Sequence, residues 1–287
     1  MRVYYSKDMV ANTQSYSPSS SKPAEVVKDW RAAGLDIEVK KPIPVSGKTI
    51  AQAHDPDYVQ GVLSCTVPNG FGNCDESVAK SLPFTVGAMV SATKYALKTG
   101  ENAAALCSGF HHATWGGGGG FCTFEGTIIA SIEAHKVGAH RVGIFDVDQH
   151  WGNGAANIID KLKINWIEHY SAGKFFGHNP DDAEPFLEAL PTLLRKRFYD
   201  CHVVIVQCGA DPYINDPLGG WMTIEQLARR DKIIFETFKQ LRIGVAFNLA
   251  GGYARDANGG ISPVLEIHRN TAIACIEAFS KKTKGAA

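Results

Sequence analysis

The chain has 287 residues, of which 45% are hydrophobic and 20% are charged, as in ordinary globular proteins, and its length suits a single domain over residues 1–287. Its 29 basic and 29 acidic residues cancel, so it lacks the basic surface expected of a protein that binds nucleic acid. No stretch reaches the roughly 18 apolar residues of a membrane span, and no signal peptide is recognisable, so we expect a cytoplasmic protein without a membrane partner.

Apolar patterns from about residue 84 onward predict alternating helices and strands. The predicted elements are a helix at 82–99, a strand at 103–107, a helix at 124–137, a strand at 141–145, a helix at 154–163, a strand at 164–167, a helix at 183–198, a strand at 203–206, a helix at 223–240, a strand at 244–249 and a helix at 261–280. Short runs of Val, Ile and Ala suit strands that are buried on both faces. The alternation therefore predicts an α/β protein with a parallel sheet, whose ligands bind beyond the carboxyl ends of the strands.

Polar residues follow small residues at the ends of four of these strands. The segments are 108–112, 146–154, 208–212 and 250–253. Small residues allow close approach of the backbone. One such segment would carry little weight, but four at one edge of a sheet predict a functional site.

The segment Asp146-Val147-Asp148-Gln149-His150 has the residue types of a metal site. Side chains two residues apart in an extended segment share a face, and polar side chains buried there need partners. Carboxylate oxygens and a neutral imidazole suit Zn²⁺, so Asp148, His150 and Asp211 are candidate ligands that leave a position open for water. Asp146 could then orient a histidine. The alternative is that Asp146 and Asp148 cap the following helix and His150 is an ordinary loop residue.

Three more side chains are candidates for catalysis. Zinc activates water, and the pair His111-His112 could supply the general base and acid that act with it. The Tyr253 hydroxyl could face a developing oxyanion. Each is also compatible with an ordinary loop residue. The glycine run 116–120 lacks the Gly-Lys-Ser/Thr of a phosphate-binding loop, and we interpret it as a flexible loop that presents Phe121 to a pocket.

These motifs resemble the histone deacetylase and acetylpolyamine amidohydrolase family, in its bacterial branch. The matching segments, in the family's order, are 54–59, 109–113, 120–122, 146–154, 209–211 and 251–253. The most specific is Asp-x-Asp-x-His-x-Gly-Asn-Gly at 146–154. The resemblance implies an arginase-like α/β/α fold in three layers, with a central, mostly parallel sheet of about eight strands.

The resemblance also implies the roles of the catalytic side chains. One zinc ion per chain would be held by the three ligands named above. His111 would pair with Asp146, and His112, the general base and acid, would pair with Asn153. Tyr253 would polarise the scissile carbonyl. The implied reaction removes an acetyl or another small acyl group from an amine.

The substrate of that reaction would enter through a narrow channel. The resemblance implies that Phe121 and, by its spacing from His169, Phe176 form the walls, with Gly120 and Gly252 beside them. Acetyl-lysine in a peptide, an acetylpolyamine and another small acyl amine all fit such a channel. The sequence does not choose among them, and it leaves the oligomeric state open.

Several positions depart from the family's pattern. Trp151 replaces a second histidine, Glu125 replaces a common asparagine, and Lys22 stands where an arginine lines an internal exit for acetate. The family's Ser-Leu-His near a structural potassium ion appears here as Ile167-Glu168-His169. Whether potassium binds near Asp146 therefore stays open.

Three alternatives remain. A binuclear manganese ureohydrolase needs additional bridging carboxylates, but Asn153 and Tyr213 occupy the positions where these would be expected. A protein that binds acyl amines without turnover is also compatible with the fold. Cysteine nucleophile chemistry at Cys107 or Cys208 lacks a suitably placed base.

Overall fold

Seven short strands pair in parallel in a single sheet with the order β2-β1-β3-β7-β6-β4-β5. The computed structural model describes residues 1–13, 15–177 and 179–280. The strands are β1 (Arg2–Tyr4), β2 (Glu38–Lys40), β3 (Asn102–Ala105), β4 (Val142–Asp146), β5 (Ile167–Ser171), β6 (Val203–Gln207) and β7 (Gly244–Asn248). The described residues thus contain seven strands, against the expected number of about eight.

Helices cover both faces of this sheet. They are α1 (Lys22–Ala32), α2 (Gly47–Ile50), α3 (Pro56–Leu63), α4 (Glu76–Thr99), α5 (Gly126–His135), α6 (Asn153–Lys161), α7 (Ala183–Phe198), α8 (Ile224–Leu241) and α9 (Ser262–Phe279). Successive residues of the central strands enter opposite cores: Val204 and Val206 pack with α1, α7, α8 and α9, whereas Val203 and Ile205 pack with helices α2 to α6. The predicted α/β/α architecture in three layers is confirmed.

The predicted elements differ from the observed ones at three places. The three-residue strands β1 and β2, and the helices α1, α2 and α3, precede the region where alternation was predicted. Helix α4 begins six residues earlier than expected because the Asp75 carboxylate accepts hydrogen bonds from two amides of its first turn. Strand β5 was predicted at 164–167 but lies at Ile167–Ser171, since Ile167 is the residue level with Val142 of β4. The apolar side chains of Ile164 and Trp166 instead pack against the core from the connecting segment.

The strand order explains how distant segments meet. Strands β3, β7, β6 and β4 are consecutive neighbours, and the four polar segments identified in the sequence follow their carboxyl ends. These segments therefore converge at one edge of the sheet, as predicted. No helix among the described residues is both long enough and apolar enough to cross a membrane.

Candidate metal centre and active site

Asp148, His150 and Asp211 converge at this edge, and each offers a ligand atom within 4.8 Å of the others. His150 Nδ1 lies 3.3 Å from Asp148 Oδ1 and 3.1 Å from Asp211 Oδ2. Both carboxylates are buried, and the imidazole is partly exposed. Neither Asp146 nor Asp148 caps α6, whose N-cap is Gly152 and has no side-chain hydrogen bond. The capping alternative is therefore wrong, whereas the donor set suits a divalent cation such as zinc.

Close backbone contacts hold the two ligand carboxylates side by side. The Gly251 amide donates to Asp148 Oδ2 at 2.8 Å, and the Gln149 amide donates to Asp211 Oδ1 at 3.2 Å. A Cβ atom at Gly251 would lie 2.2 Å from Asp211 Oδ2, so only glycine fits there. Burial, together with the neighbouring Asp148 carboxylate, raises the pKa of Asp211. Two adjacent buried carboxylates need a positive charge, and the residues present therefore fit a metal cation.

His111 lies between Asp146 and the metal ligands. Its Nδ1 is 2.9 Å from Asp146 Oδ2, and its Nε2 is 3.6 Å from Asp148 Oδ1. Burial disfavours the charged ring, but the Asp146 and Asp148 carboxylates outweigh it and raise the pKa of His111 to about 9. The pairing of His111 with Asp146 that the sequence predicted is thus present in the structure.

His112 has a different partner and a different electrostatic environment. Its Nδ1 lies 2.6 Å from Asn153 Oδ1. An amide oxygen only accepts hydrogen bonds, so Nδ1 must carry the proton and Nε2 of the neutral ring can accept another. Burial and the neighbouring His111 lower the pKa of His112. The pKa values of the two adjacent histidines are therefore shifted in opposite directions, which favours the charged form of His111 and the neutral form of His112.

Tyr253 and Phe121 lie above the metal ligands, with ring centroids 5.6 Å apart. A narrow pocket reaches this site. Its lining comprises Ser19, Gly109, His111, Gly120, Phe121, Cys122, Asp148, Ala250, Gly251 and Tyr253. Gly120 lines the pocket, and a Cβ atom there would lie 2.5 Å from His112 Cδ2. Gly252 does not line it, but this glycine, with φ +130°, connects the lining residues Gly251 and Tyr253.

A second cavity, of about 50 Å³, adjoins this pocket and is lined largely by apolar side chains. The two share Ser19, Gly109, Phe121 and Cys122. Room for a small apolar group therefore exists beside the pocket.

Two structural details differ from the expectations for the channel. Phe176 has Phe186 and Trp221 as its aromatic neighbours, at 5.0 and 6.1 Å between centroids, and it does not line the pocket described above. The glycine run folds into tight turns that are closed by bridges from Thr114 to Gly117 and from Gly119 to Cys122, and it presents Phe121 with φ +63°.

Lys22 is fully buried beneath the loop that precedes Tyr253. Its ammonium group donates to the carbonyl oxygens of Ala250 at 2.7 Å and Gly251 at 3.0 Å. Burial lowers the pKa of Lys22 to about 8, although the Asp211 and Asp148 carboxylates oppose this shift. Ala250 has φ +43°, a strained value for a residue with a side chain, and the lysine holds it in place.

Two polar residues near the site were missed in the sequence. Ser171, and not Ile167, is level with Asp146 in the sheet, and its hydroxyl accepts from the Gly152 amide at 3.0 Å. Ile167, the first residue of the segment compared with the family's Ser-Leu-His, is level with Val142 instead. Gln149 is buried between two ligands and bonds both Gly177 and Gly220. Neither residue stood out in the sequence, because Glu168 and His169 precede Ser171, and Asp148 and His150 flank Gln149.

The other departures have structural roles. Glu125 is fully buried and caps α5, where its carboxylate accepts from the amides of Thr127 and Ile128, and its own amide donates to His54 Nε2 at 2.8 Å. Trp151 is 42% exposed, and the Lys174 ammonium lies 5.1 Å from the centre of its ring. Both residues adjoin the site without entering the group of candidate ligands.

Comparisons with known proteins identify the family of this domain. The histone deacetylase domain matches residues 18–179, more than half of the chain. Acetylpolyamine amidohydrolase 2 of Pseudomonas aeruginosa is 25% identical over 270 residues, which cover 81% of this chain and 74% of that protein. The chain spans about half the length of the plant histone deacetylases that it matches.

Two solved structures share the fold. The HD domain of HDA15 superposes with a TM-score of 0.77 at 17% identity, covering 100% of this chain and 90% of that one. An acetylpolyamine aminohydrolase from Burkholderia pseudomallei gives a TM-score of 0.74 at 18% identity, with 96% and 98% covered. The match over residues 18–179, more than half of the chain, shows that the chain belongs to the histone deacetylase domain family.

Proposed function

We propose that this protein is a zinc-dependent amidohydrolase that removes an acetyl or another small acyl group from an amine. The observation that carries the proposal is the convergence of Asp148, His150 and Asp211 beside two histidines. We extend the proposal to one catalytic domain over residues 1–287 and to a cytoplasmic location.

Asp148, His150 and Asp211 would hold the metal. A zinc ion bound there would polarise the scissile carbonyl and lower the pKa of water. These residues leave room in the coordination sphere, as catalytic zinc sites require. A structural potassium ion near Asp146 remains a secondary proposal, supported by the oxygen atoms of Asp146 and Ser171 at the same level of the sheet.

His112 would act as the general base and then as the general acid. With its Nδ1 proton bonded to Asn153, the neutral ring can accept a proton at Nε2 from the attacking water. The same nitrogen can then donate that proton to the leaving amine. His111, held by Asp146, supplies positive charge next to the developing negative charge, and the Tyr253 hydroxyl can donate to the carbonyl oxygen.

The pocket favours a slim acyl amine. The rings of Phe121 and Tyr253 offer apolar faces to an aliphatic chain, and the adjoining cavity of about 50 Å³ limits the acyl group to a small one. Acetyl-lysine peptides and acetylpolyamines both meet these conditions. The relative named acetylpolyamine amidohydrolase 2 supports the second class.

The alternatives receive less support. Asn153 is bonded to His112, and the Tyr213 hydroxyl accepts from Asn215, so neither provides a bridging carboxylate for a second metal. The part of the chain that the structure describes contains one cluster of three candidate ligands. Burial raises the pKa of the Cys107 and Cys208 thiols, which disfavours a thiolate nucleophile.

Metal content and turnover together test the proposal. We expect about one zinc per wild-type chain and turnover of at least one member of a panel of acylated amines. Asp148→Ala should lose both properties, whereas the surface variant Asp160→Ala should keep both, since Asp160 is paired only with exposed Lys163. Full zinc content and activity in Asp148→Ala would contradict the ligand assignment. Two manganese ions per chain would favour a ureohydrolase, and bound zinc without any turnover would favour a binding protein.

A further inference from the structure

A guanidinium group lies buried on the far side of the metal ligands from the substrate pocket. It belongs to Arg230 of α8, which is only 1% exposed. Its Nη1 donates to the Val147 carbonyl at 3.0 Å, and its Nη1 and Nη2 donate to the Gly209 carbonyl at 3.3 and 3.2 Å. Its Nε donates to Asp231 at 2.8 Å. All of these contacts lie outside the pocket described above.

The two carbonyl groups belong to the segments that carry the carboxylate ligands. Val147 immediately precedes Asp148, and Gly209 lies two residues before Asp211. The strand pairing of β4 with β6 ends at Asp146 and Gln207, and the last bond between them runs from the Val147 amide to Gln207. Beyond that point the sheet no longer sets the distance between the two segments, so Arg230 provides a connection where the ladder stops.

The chemistry of the side chain suits this connection. Guanidinium is planar and presents several donors in a fixed fork, so it sets the separation of two carbonyl oxygens more rigidly than the rotatable donors of an ammonium group. Its charge is compensated by Asp231, whose other oxygen accepts from the Thr271 hydroxyl of α9. A buried ion pair adds little to stability compared with apolar residues of similar size. The buried ion pair of Arg230 and Asp231 is therefore better explained by a role in positioning the ligand segments than by a contribution to stability.

We propose that Arg230, oriented by Asp231, is a positioning residue that fixes the spacing of Asp148 and Asp211 for metal binding. This inference rests on the proposed function of those two residues as ligands. Neither Arg230 nor Asp231 touches the substrate pocket, so their effect acts through the backbone of the ligand segments.

Metal binding by the full chain tests this role in three variants. Arg230→Lys keeps the charge but loses the fork. The double variant Arg230→Met/Asp231→Leu removes both charges and leaves no unpaired ion, so it still tests the role if Arg230→Lys unfolds the protein. Arg229→Lys is the matched control, since Arg229 is exposed on the same helix and bonds only Glu184.

The measurements are the Zn²⁺ dissociation constant, from competition with a chromophoric chelator, and the visible absorption of the Co²⁺-substituted protein. We expect both Arg230 variants to bind Zn²⁺ about 10-fold more weakly or worse and to show an altered cobalt spectrum, with Arg229→Lys unchanged. A folded Arg230 variant with the wild-type dissociation constant and spectrum would overturn the inference. Failure of the wild-type chain to bind zinc would instead overturn the proposed function.

Discussion

The floor of the site and its rim are built in different ways. The floor comprises the buried residues Lys22, Asp146, Asp148, Asp211 and Arg230, whose charged groups are bonded to backbone atoms or to one another. The rim comprises Tyr16, Trp151 and Phe175, which are 59%, 42% and 60% exposed. The floor is held from several helices and strands, whereas the rim side chains rest mainly on other aromatic rings or on Lys174.

This difference indicates where substitutions have large effects. A buried polar group that loses its hydrogen-bond partner lowers the free energy of unfolding by about 1–3 kcal/mol. Displacement of a candidate ligand would in addition weaken metal binding. Replacement of an exposed aromatic side chain usually changes the free energy of unfolding by no more than about 0.5 kcal/mol. Changes should therefore become less severe from the floor toward the rim, and the following predictions test that gradient.

Tyr253 lines the pocket next to the buried floor, and of the variants that test this gradient Tyr253→Phe should have the largest effect on catalysis. Removal of the hydroxyl takes away a donor to the developing oxyanion, so we expect kcat to fall by about 10²–10³-fold. Zinc content should be unchanged because the Tyr253 backbone amide, which bonds Asp216, remains in place. Steady-state kinetics and metal analysis measure the two quantities.

The control for this prediction is Tyr213→Phe. The Tyr213 hydroxyl bonds Asn215 outside the candidate active site, so its loss should change kcat by less than about twofold. Equal losses of kcat in the two variants would show that the Tyr253 hydroxyl has no specific role in the reaction.

Glu125→Gln tests a buried group behind the floor through the pH dependence of stability. Burial raises the pKa of Glu125 from 4.5 to about 7. The folded chain therefore binds more protons than the unfolded chain between these values, and the stability that Glu125 contributes is lost as pH rises through 7. Relative to Glu125→Gln, wild type should lose about 3 kcal/mol of unfolding free energy from pH 4 to pH 8.

Urea unfolding across this pH range measures the difference. Asp75→Asn is the matched control at the start of α4, because the Ser77 hydroxyl lowers the pKa of Asp75, against a weaker opposing effect of burial. That contribution is lost as pH falls, so its slope has the opposite sign. A pH-independent difference between wild type and Glu125→Gln would show that folding does not raise the pKa of Glu125.

Gln149→Leu tests the connection between floor and rim. Its amide group bonds the Gly177 carbonyl at 2.6 Å and the Gly220 amide at 3.2 Å, and leucine leaves both without this partner. We expect a loss of about 1–3 kcal/mol in unfolding free energy and a larger change in KM than in kcat, since the loops move while His112 stays in place. Gln149→Glu keeps the acceptor for Gly220 but places a buried oxygen against the Gly177 carbonyl, so it should raise KM as well. A fall in kcat alone would place Gln149 in the chemistry.

Much of the fold could be predicted from the sequence because buried parallel strands are nearly continuous apolar runs. Strands β3, β4, β6 and β7 have this pattern and were found within a few residues. Strands β1 and β2 contain three residues each, too few for any periodicity, and they form only through pairing with distant segments. Strand β5 lies at the sheet edge, where Glu168 and His169 interrupt the apolar pattern.

Some residues of the site could likewise be predicted from the sequence, and others could not. The three candidate ligands stand at strand ends, where the spacing of Asp148 and His150 and the small residues around Asp211 indicate their convergence. Arg230 escaped notice because it lies in the middle of an amphipathic helix, where charged residues usually face solvent. Only the hydrogen bonds of Arg230 to the Val147 and Gly209 carbonyls show that this arginine points inward. Likewise, only the structure reveals the neighbours of Phe176.

Trp151→Ala tests the rim and should have the smallest effect. The indole is 42% exposed and contacts Lys174 on the solvent side, so its removal should change kcat/KM by no more than about twofold. Trp151→His, which introduces the residue expected from the family's pattern, is the informative partner in the same kinetic assay. If the alanine variant loses tenfold in kcat and the histidine variant recovers it, position 151 takes part in proton transfer. An exposed residue next to His150 would then take part in the reaction, although its exposure predicts that its replacement has little effect.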